Sequence, residues 1–374
     1  MKIAYLLTWD IYSNDGVTKK VNQQVKEWRN LGHTIEIFCV LPKNNQQNKQ
    51  NEKCKLNSNI YELLNNTIFL KFIGPGNLIK SILDFQPDIM YLRFETFKLY
   101  IYKLINIIPT VVEINTNDIA EIRLVAQRNC KYKINYYYNL LTRGYLFRNV
   151  SGIVGVTSEL IHLASIEKYE KPAIDVPNGI DTLKFPLLKQ LRQSNEIPHL
   201  VFMGTPGQSW HGVDKILYLA KKTIGKLEFH IIGLEEKGRK SENVTFYGYL
   251  SKDEYEKVLK KADVGIGTLA LHRNKMNEAC PLKVREYLSY GLPIIIGYKD
   301  SAFNSLKMLP EWVLQLSNCE NNVKDSVDKI VEFAKQVKDK IIDKNECSII
   351  DIKSTEKRRI EFIMQIWQRG MLNK

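Results

Sequence analysis

The sequence predicts an α/β protein of two domains, each with a parallel β-sheet whose strands are joined by helices. Short apolar, β-branched runs alternate with amphipathic helical stretches along most of the chain, the pattern of successive βαβ units. The length of 374 residues exceeds one ordinary core and suits two, at about 150 residues per domain. Between the two runs, Val176-Pro177-Asn178-Gly179-Ile180-Asp181 gathers turn-forming residues and Glu196-Ile197-Pro198 precedes a fresh strand, so the chain changes domain there. The expected division is 1–180, then 181–350, with a terminal helix over 351–374 crossing back to the first domain.

In the first half the apolar runs predict strands at 2–7, 34–40, 67–73, 88–94, 110–115 and 152–157. In the second half they fall at 200–204, 228–233, 244–247, 264–268 and 293–297. Residues 43–58 are dominated by Asn, Gln and Lys without periodicity and read as a surface loop. The stretch 354–371 reads as a helix with Ile360, Ile363, Met364 and Trp367 on one side. No period of 20 to 50 residues recurs, which argues against a repeat array.

The apolar fraction of 44% and charged fraction of 25% match a folded globular chain. Six cysteines lie far apart without a Cys-x-x-Cys pair, against structural zinc or a disulfide framework and in favour of a reducing cytoplasm. The first apolar run stops at Asp10, too short for a signal peptide. No run reaches the roughly 18 apolar residues of a membrane span. The formal charge of +13 favours polyanions, whether nucleic acid, anionic lipid or a phosphorylated substrate, with compositional drift as the alternative.

Three loops between a strand and a helix are candidates for ligand contact. Ser13-Asn14-Asp15-Gly16 leads into a helix with Val17, Val21, Val25 and Trp28 on one side. Free amides at such a helix start favour phosphate, and an ordinary capped turn is the alternative. Gly204-Thr205-Pro206-Gly207 runs on to Trp210-His211-Gly212; glycine permits close backbone approach and His211 can donate to a phosphate, or is a structural histidine. Glu278-Ala279-Cys280-Pro281-Leu282-Lys283-Val284-Arg285-Glu286 brackets a helix start with two carboxylates. Pro281 suits the first turn, leaving the amides of Leu282 and Lys283 for a diphosphate. Glu286 can accept both hydroxyls of a ribose, and Glu278 can reach a second sugar. Solvated charges on a plain helix turn are the alternative reading.

A basic, aromatic stretch from Arg128 to Arg148 includes Tyr136, Tyr137, Tyr138, Arg143 and Tyr145. It suits anionic headgroups or an amphiphilic acceptor, with the tyrosines expected to pack inward and the Lys and Arg tips to reach the interface. Asp-x-Asp, Gly-x-x-x-x-Gly-Lys-Ser/Thr and Gly-x-Ser-x-Gly are all absent. A metal–diphosphate chelate, a Walker loop and one hydrolase signature lose support accordingly.

Together these pieces resemble the retaining glycosyltransferases of family 4, also called glycosyl transferases group 1, which have the GT-B fold of two Rossmann-like domains facing across a cleft. The resemblance rests on Asp15-Gly16 with Leu31-Gly32-His33, on Val176 to Asp181 with Phe185, and on Phe202-Met203-Gly204 with Trp210-His211-Gly212-Val213. Above all it rests on Glu278, seven intervening residues, then Glu286-Tyr-Leu-Ser-Tyr-Gly-Leu-Pro293. It implies that Glu286 binds the donor ribose and Glu278 the transferred sugar. The amides around Cys280, Pro281, Leu282 and Lys283 would lie on the diphosphate, with Gly16 in a loop closing over it. No protein nucleophile and no metal are implied.

Two departures stand out. Where many members carry Arg and Lys on the donor phosphates, this chain has Thr205 and His211, so leaving-group stabilisation passes to His211, Lys283 and the amides, with Arg273 and Lys275 as supplementary cations. Where some relatives have a His after the fifth strand, this chain reads Val112-Glu113-Ile114-Asn115-Thr116-Asn117. Glu113, Asn115, Asn117 and Asp15 therefore become the candidate acceptor contacts. The expected donor is a nucleotide diphosphate sugar, UDP favoured over GDP. The expected acceptor is a glycan or lipid-linked oligosaccharide of cell-surface polysaccharide synthesis, reached from the cytoplasm by peripheral contact with the anionic inner face of the plasma membrane. Nucleic acid is not the expected partner. A nucleotide-sugar 2-epimerase of the same fold and a basic polyanion-binding protein without catalysis are the alternatives.

Overall fold

The computed structural model describes residues 1–11, 16–41, 58–62, 72–128, 131–187, 196–234, 238 and 240–372. The chain forms two compact units: Met1–Pro177 with Ile352–Lys374, and Asn178–Asp351.

The first unit is built on strands β1 (Lys2–Leu7), β2 (Thr34–Leu41), β3 (Ser58–Glu62), β4 (Ile89–Arg93), β5 (Thr110–Ile114), β6 (Gly152–Gly155) and β7 (Ala173–Asp175). They pair in the order β3-β2-β1-β4-β5-β6-β7, every pairing parallel. The order in which strands are added reverses between β1 and β4, and such a switch point opens a crevice beyond the carboxyl ends of the strands. Leu7, Arg93 and Ile114 are those ends. Near-continuous apolar strands such as Ile3 to Leu7 are buried on both faces, as helices on either side of a parallel sheet require. Trp28 of the helix Gly16–Asn30 stacks on Tyr5, ring centroids 5.6 Å apart, and meets Tyr91 edge-on at 4.9 Å. The terminal helix Ile352–Leu372 lies in the same core through Ile360, Phe362, Ile363 and Ile366.

The second unit holds β8 (His199–Met203), β9 (Glu228–Ile232), β10 (Lys240–Ser241), β11 (Val244–Gly248), β12 (Val264–Ile266), β13 (Glu278–Ala279), β14 (Ile294–Ile296), β15 (Lys299–Asp300) and β16 (Val313–Gln315). Its sheet runs β10-β11-β9-β8-β12-β14-β16, with β10 alone antiparallel. Here the switch point lies between β8 and β12. Leu200, Phe202, Ile231, Val264, Ile266 and Ile295 supply the strand side of one core, and Ile216, Leu219, Ile330 and Phe333 the helix side.

Most strands expected from sequence form within a residue or two of their bounds. The expected strand 67–73 lies mainly outside the described residues, and its last two, Phe72 and Ile73, are helical. The expected loop 43–58 also lies outside them, apart from Ser58, which opens β3. The short strands β3, β7 and β16 carry three to five residues each, too few for an alternation or a run to stand out. Within Lys131–Asn149 the expected assignment is reversed in part. Tyr132, Tyr137 and Tyr145 are exposed, whereas Arg143 is buried and pairs with Asp118 at 2.7 Å.

Candidate functional site

In the second unit the helix Leu282–Ser289 starts at the carboxyl side of the sheet, one residue later than Pro281 suggests. Pro281 is its N-cap, extended at φ −74° and ψ 137°, with no side-chain cap bond. The Pro281 carbonyl accepts the amides of Val284 (3.1 Å) and Arg285 (3.4 Å). The amides of Leu282 and Lys283 precede the first closed turn and have no carbonyl behind them. They remain the two donors that a bound oxyanion would use, with the positive end of the helix dipole behind them.

Beside this helix start, β8 ends at Met203, whose amide donates to the Tyr287 hydroxyl at 2.7 Å, fixing the strand end to the helix. Gly204 follows, and a Cβ there would lie 2.6 Å from the Phe202 ring and 3.0 Å from His211 Nδ1. Only glycine fits at that contact. Gly212, at φ 74°, closes the 3-10 turn Ser209–His211 and caps the helix Val213–Lys222. His211 is thereby held edge-on to Phe202, centroids 5.6 Å apart. Lys283 Nζ stands 4.1 Å from the Phe202 ring centroid. Lys283 as a residue is partly exposed, yet its Nζ is buried and, like His211 Nδ1, has no hydrogen-bond partner. Burial pulls Lys283 down to about 7. Burial, and then the neighbouring Lys283, pull His211 down to about 2. At neutral pH His211 is therefore uncharged and acts through hydrogen bonds, and Lys283 sits at the edge of losing its proton. Buried nitrogens without partners are rare and costly, and here two converge on one helix start. Thr205 is exposed on the loop beyond Gly204.

The two carboxylates flank this arrangement. Glu286, on the second turn of the helix, accepts a short hydrogen bond from the Tyr255 hydroxyl. Tyr255 comes from the helix Lys252–Leu259, whose start is closed by a capping box of Ser251 and Glu254. Glu278 lies in β13, paired with Lys299, and accepts from Asn304 Nδ2 at 3.4 Å. Between them, Cys280 is turned inward: its sulfur accepts from the Asn178 amide (3.0 Å) and Arg285 Nη2 (2.7 Å). Arg285 forms a fully buried pair with Asp300. The Cys280 side chain therefore serves the loop's interior, and only its backbone faces the place expected for the donor. Arg273 is likewise engaged within the protein. Its guanidinium binds Asp214 through two bonds of 2.8 Å, and it bonds to Glu320 and to the Ser209 carbonyl. These bonds fasten its loop and occupy its donors. The second supplementary cation, Lys275, is exposed.

In the first unit Gly16 is the first residue of its helix, and Asp15 lies outside the described residues. Glu113 has no exposed surface. Lys20 Nζ and Arg359 Nη1 each approach it at 2.9 Å, and Arg93 Nη1 at 3.7 Å. Burial would raise the Glu113 carboxyl, but Lys20, Arg359 and Arg93 outweigh it and hold it far below the carboxylate range. Glu113 is thus fully engaged by cations inside the first unit. Asn115 accepts from Lys20 at 2.6 Å and donates to Glu113 at 3.3 Å. Asn117 caps the helix Asp118–Arg128 by accepting the Ala120 amide at 3.2 Å. Both asparagines stay partly exposed beyond the carboxyl end of β5. Lys20, Arg93 and Arg359 were not among the residues singled out from sequence. Lys20 and Gln24 stand four positions apart, each next to Val21 or Val25 of the apolar stripe, so they form a polar edge to one buried helix face.

Among the described residues no group of three or more His, Cys, Asp or Glu is placed to hold a metal, and no helix is long and apolar enough to cross a membrane. No protein-family model matches the sequence, and no curated protein matches it either. Solved structures do match. Sucrose-phosphate synthase of Thermosynechococcus elongatus is 12% identical and superposes with a TM-score of 0.70 over 98% of this chain and 99% of that one. The lipopolysaccharide outer core galactosyltransferase WaaB is 14% identical, with a TM-score of 0.63 over 98% and 99%. An alpha-glucosyltransferase solved with UDP-glucose and DNA is 14% identical, with a TM-score of 0.56 over 94% and 99%. The fold is that of the GT-B glycosyltransferases, two units of parallel α/β architecture.

Proposed function

We propose that this chain is a glycosyltransferase that moves a sugar from a UDP-sugar to a hydroxyl acceptor with retention of anomeric configuration and without a metal. The observation that carries the reading is the pair of partnerless buried nitrogens, Lys283 Nζ and His211 Nδ1, beside the free amides of Leu282 and Lys283. That set suits the diphosphate of a nucleotide sugar, and Glu286 lies one turn away for the ribose. Glu278 takes the transferred sugar. Neighbours of the same fold that carry UDP-glucose support a uridine donor.

In the reaction the bond from the sugar's anomeric carbon to the diphosphate breaks as the acceptor oxygen bonds to the same face. The departing phosphate oxygen takes the acceptor's proton. Lys283, His211 and the two amides stabilise the charge that grows on the leaving group, where burial of the two nitrogens makes such contacts stronger than in water. Asp15, Asn115 and Asn117 belong to the acceptor side of this reading, and Gly16 to the loop that closes over the diphosphate. The acceptor class is a glycan or lipid-linked oligosaccharide of cell-surface polysaccharide synthesis, supported by the likeness to a lipopolysaccharide galactosyltransferase. The site of action is the inner face of the plasma membrane. A DNA acceptor is the second reading, favoured by the charge of +13 and by the DNA-bound neighbour.

The test is thermal stabilisation by UDP, GDP, ADP, CMP and TDP, repeated with Glu286→Ala, since a ligand selective for the native state raises the melting temperature. A shift for UDP that the substitution abolishes supports the donor site; equal shifts for all five, or none, sink it. Incubation of the UDP-sugar with glycan, lipid-linked and duplex DNA acceptors then separates the acceptor readings. An epimerised sugar nucleotide formed without any acceptor would instead identify an epimerase.

A further inference from the structure

The helix Lys131–Asn149 is apolar on two opposite faces. Its inner face is fully used: Leu146 and Phe147 are buried, and Asn139 and Arg143 bond to Asp118. Its outer face carries Ile134 (78% exposed), Tyr137 (61%), Leu141 (77%) and Tyr145 (50%). At 100° per residue these four fall within about 80° of arc, a single stripe roughly 17 Å long. Arg148, exposed, lies on the same stripe with its guanidinium 6.0 Å from the Tyr145 ring, and exposed Lys133 borders it. The helix contains four Lys and Arg and no Asp or Glu.

A contiguous apolar stripe of this size marks a contact surface rather than chance exposure. Its charge chooses the partner. Two copies meeting about a two-fold axis would set Lys133 and Arg148 against the same cations of the other copy, with no carboxylate on the helix to offset them. An anionic bilayer does the reverse. Aliphatic tips enter the acyl boundary, tyrosines settle at headgroup depth, and the cations meet lipid phosphates. We infer that the outer face of the helix Lys131–Asn149 docks the first unit onto an anionic lipid surface, through Ile134, Tyr137, Leu141 and Tyr145 flanked by Lys133 and Arg148. The inference makes no use of the donor site, so either can fail without the other.

Co-sedimentation with vesicles tests it. The full chain should bind phosphatidylcholine vesicles that contain phosphatidylglycerol and not phosphatidylcholine alone, with binding weakened by salt. Ile134→Asp with Leu141→Asp should lower partitioning by more than about tenfold, and Lys133→Glu with Arg148→Glu should abolish the preference for phosphatidylglycerol. Because all four side chains are exposed, the melting temperature and any UDP-induced shift should match the parent. Binding by the Ile134→Asp, Leu141→Asp variant equal to the parent's, or no binding by the parent, would overturn the inference. So would light scattering showing a parental dimer that this variant dissolves, which would assign the stripe to a second copy.

Discussion

Lys283→Met should stabilise the free protein and abolish its response to UDP. The substitution keeps the length and apolar stem of the side chain and removes an ammonium that lies buried over the Phe202 ring with no hydrogen-bond partner. Burial lowers Lys283 from its ordinary 10.5 to about 7. At about 1.36 kcal/mol per pH unit, that gap corresponds to roughly 5 kcal/mol of destabilisation whenever the group is charged in the native state. The residue is partly exposed, and swivelling of the stem toward water relieves part of this. The expected gain is about 2 kcal/mol, or ~5 °C in the melting temperature of a unit this size. Against it, loss of a charge-assisted contact to the diphosphate should weaken UDP by about 2–4 kcal/mol, between roughly 30- and 1000-fold.

The pH dependence follows from the direction of the same shift. Between about 7 and 10.5 the unfolded chain still holds the Lys283 proton that the native chain has released, so native stability rises with pH across that window. Below it the cost is felt in full. UDP should reverse the tendency, because its diphosphate returns the proton to Lys283. Affinity should therefore fall as pH rises above about 7, with proton uptake on binding. Differential scanning calorimetry gives the first effect, and titration calorimetry in two buffers of different ionisation enthalpy gives the second. A Lys283→Met protein that melts lower and still responds to UDP would refute the assignment of this nitrogen to a partnerless place on the diphosphate.

Tyr255→Phe removes the phenol that holds Glu286; the KM for a UDP-sugar should rise about three- to tenfold with little change in kcat, the signature of an interaction made equally in ground and transition states. Glu113→Ala leaves Lys20, Arg359 and Arg93 facing one another in the core of the first unit, a loss of about 3–5 kcal/mol in urea unfolding at neutral pH. Because the native Glu113 carboxyl is held below the ordinary 4.5, its contribution is present above that value and lost as pH falls below it, so parent and variant should converge in acid. Gly233→Ala places a Cβ 2.1 Å from the Gly204 carbonyl oxygen at φ 86°; the loop after β8 must shift, and circular dichroism melts should show at least about 2 kcal/mol lost.

The fold was legible because its evidence is distributed. Eleven strands were expected from apolar runs separated by helical periodicity, and even a few errors leave the alternation intact. What escaped were β3, β7, β10, β13, β15 and β16, strands of two to five residues whose neighbours in the sheet, rather than their own residues, extend them. The surroundings of Glu113 escaped for a related reason. It was singled out because some relatives have a His near that position, whereas the cations that bury it come from Lys20 on one helix and Arg359 some 246 positions away. Pairing over such a separation leaves no local trace.

The motif around Pro281 was singled out from sequence, but not how its residues divide their contacts. Sequence spacing put Cys280, Lys283, Arg285 and Glu286 together on one turn and its approach. Helical geometry then splits them, since neighbours in sequence point about 100° apart. Lys283 falls toward Phe202 and His211, Arg285 falls inward onto Asp300 and Cys280, and Glu286 falls toward Tyr255. Of two adjacent cations, the one with a carboxylate partner fixes the loop and the one without is left to meet an anion. The same division settles Arg273, which Asp214 and Glu320 hold. Where the family pattern has two cations on the donor phosphates, the reading proposed for this chain has Lys283 and an uncharged His211, and on that reading the leaving group depends on Lys283 keeping its proton.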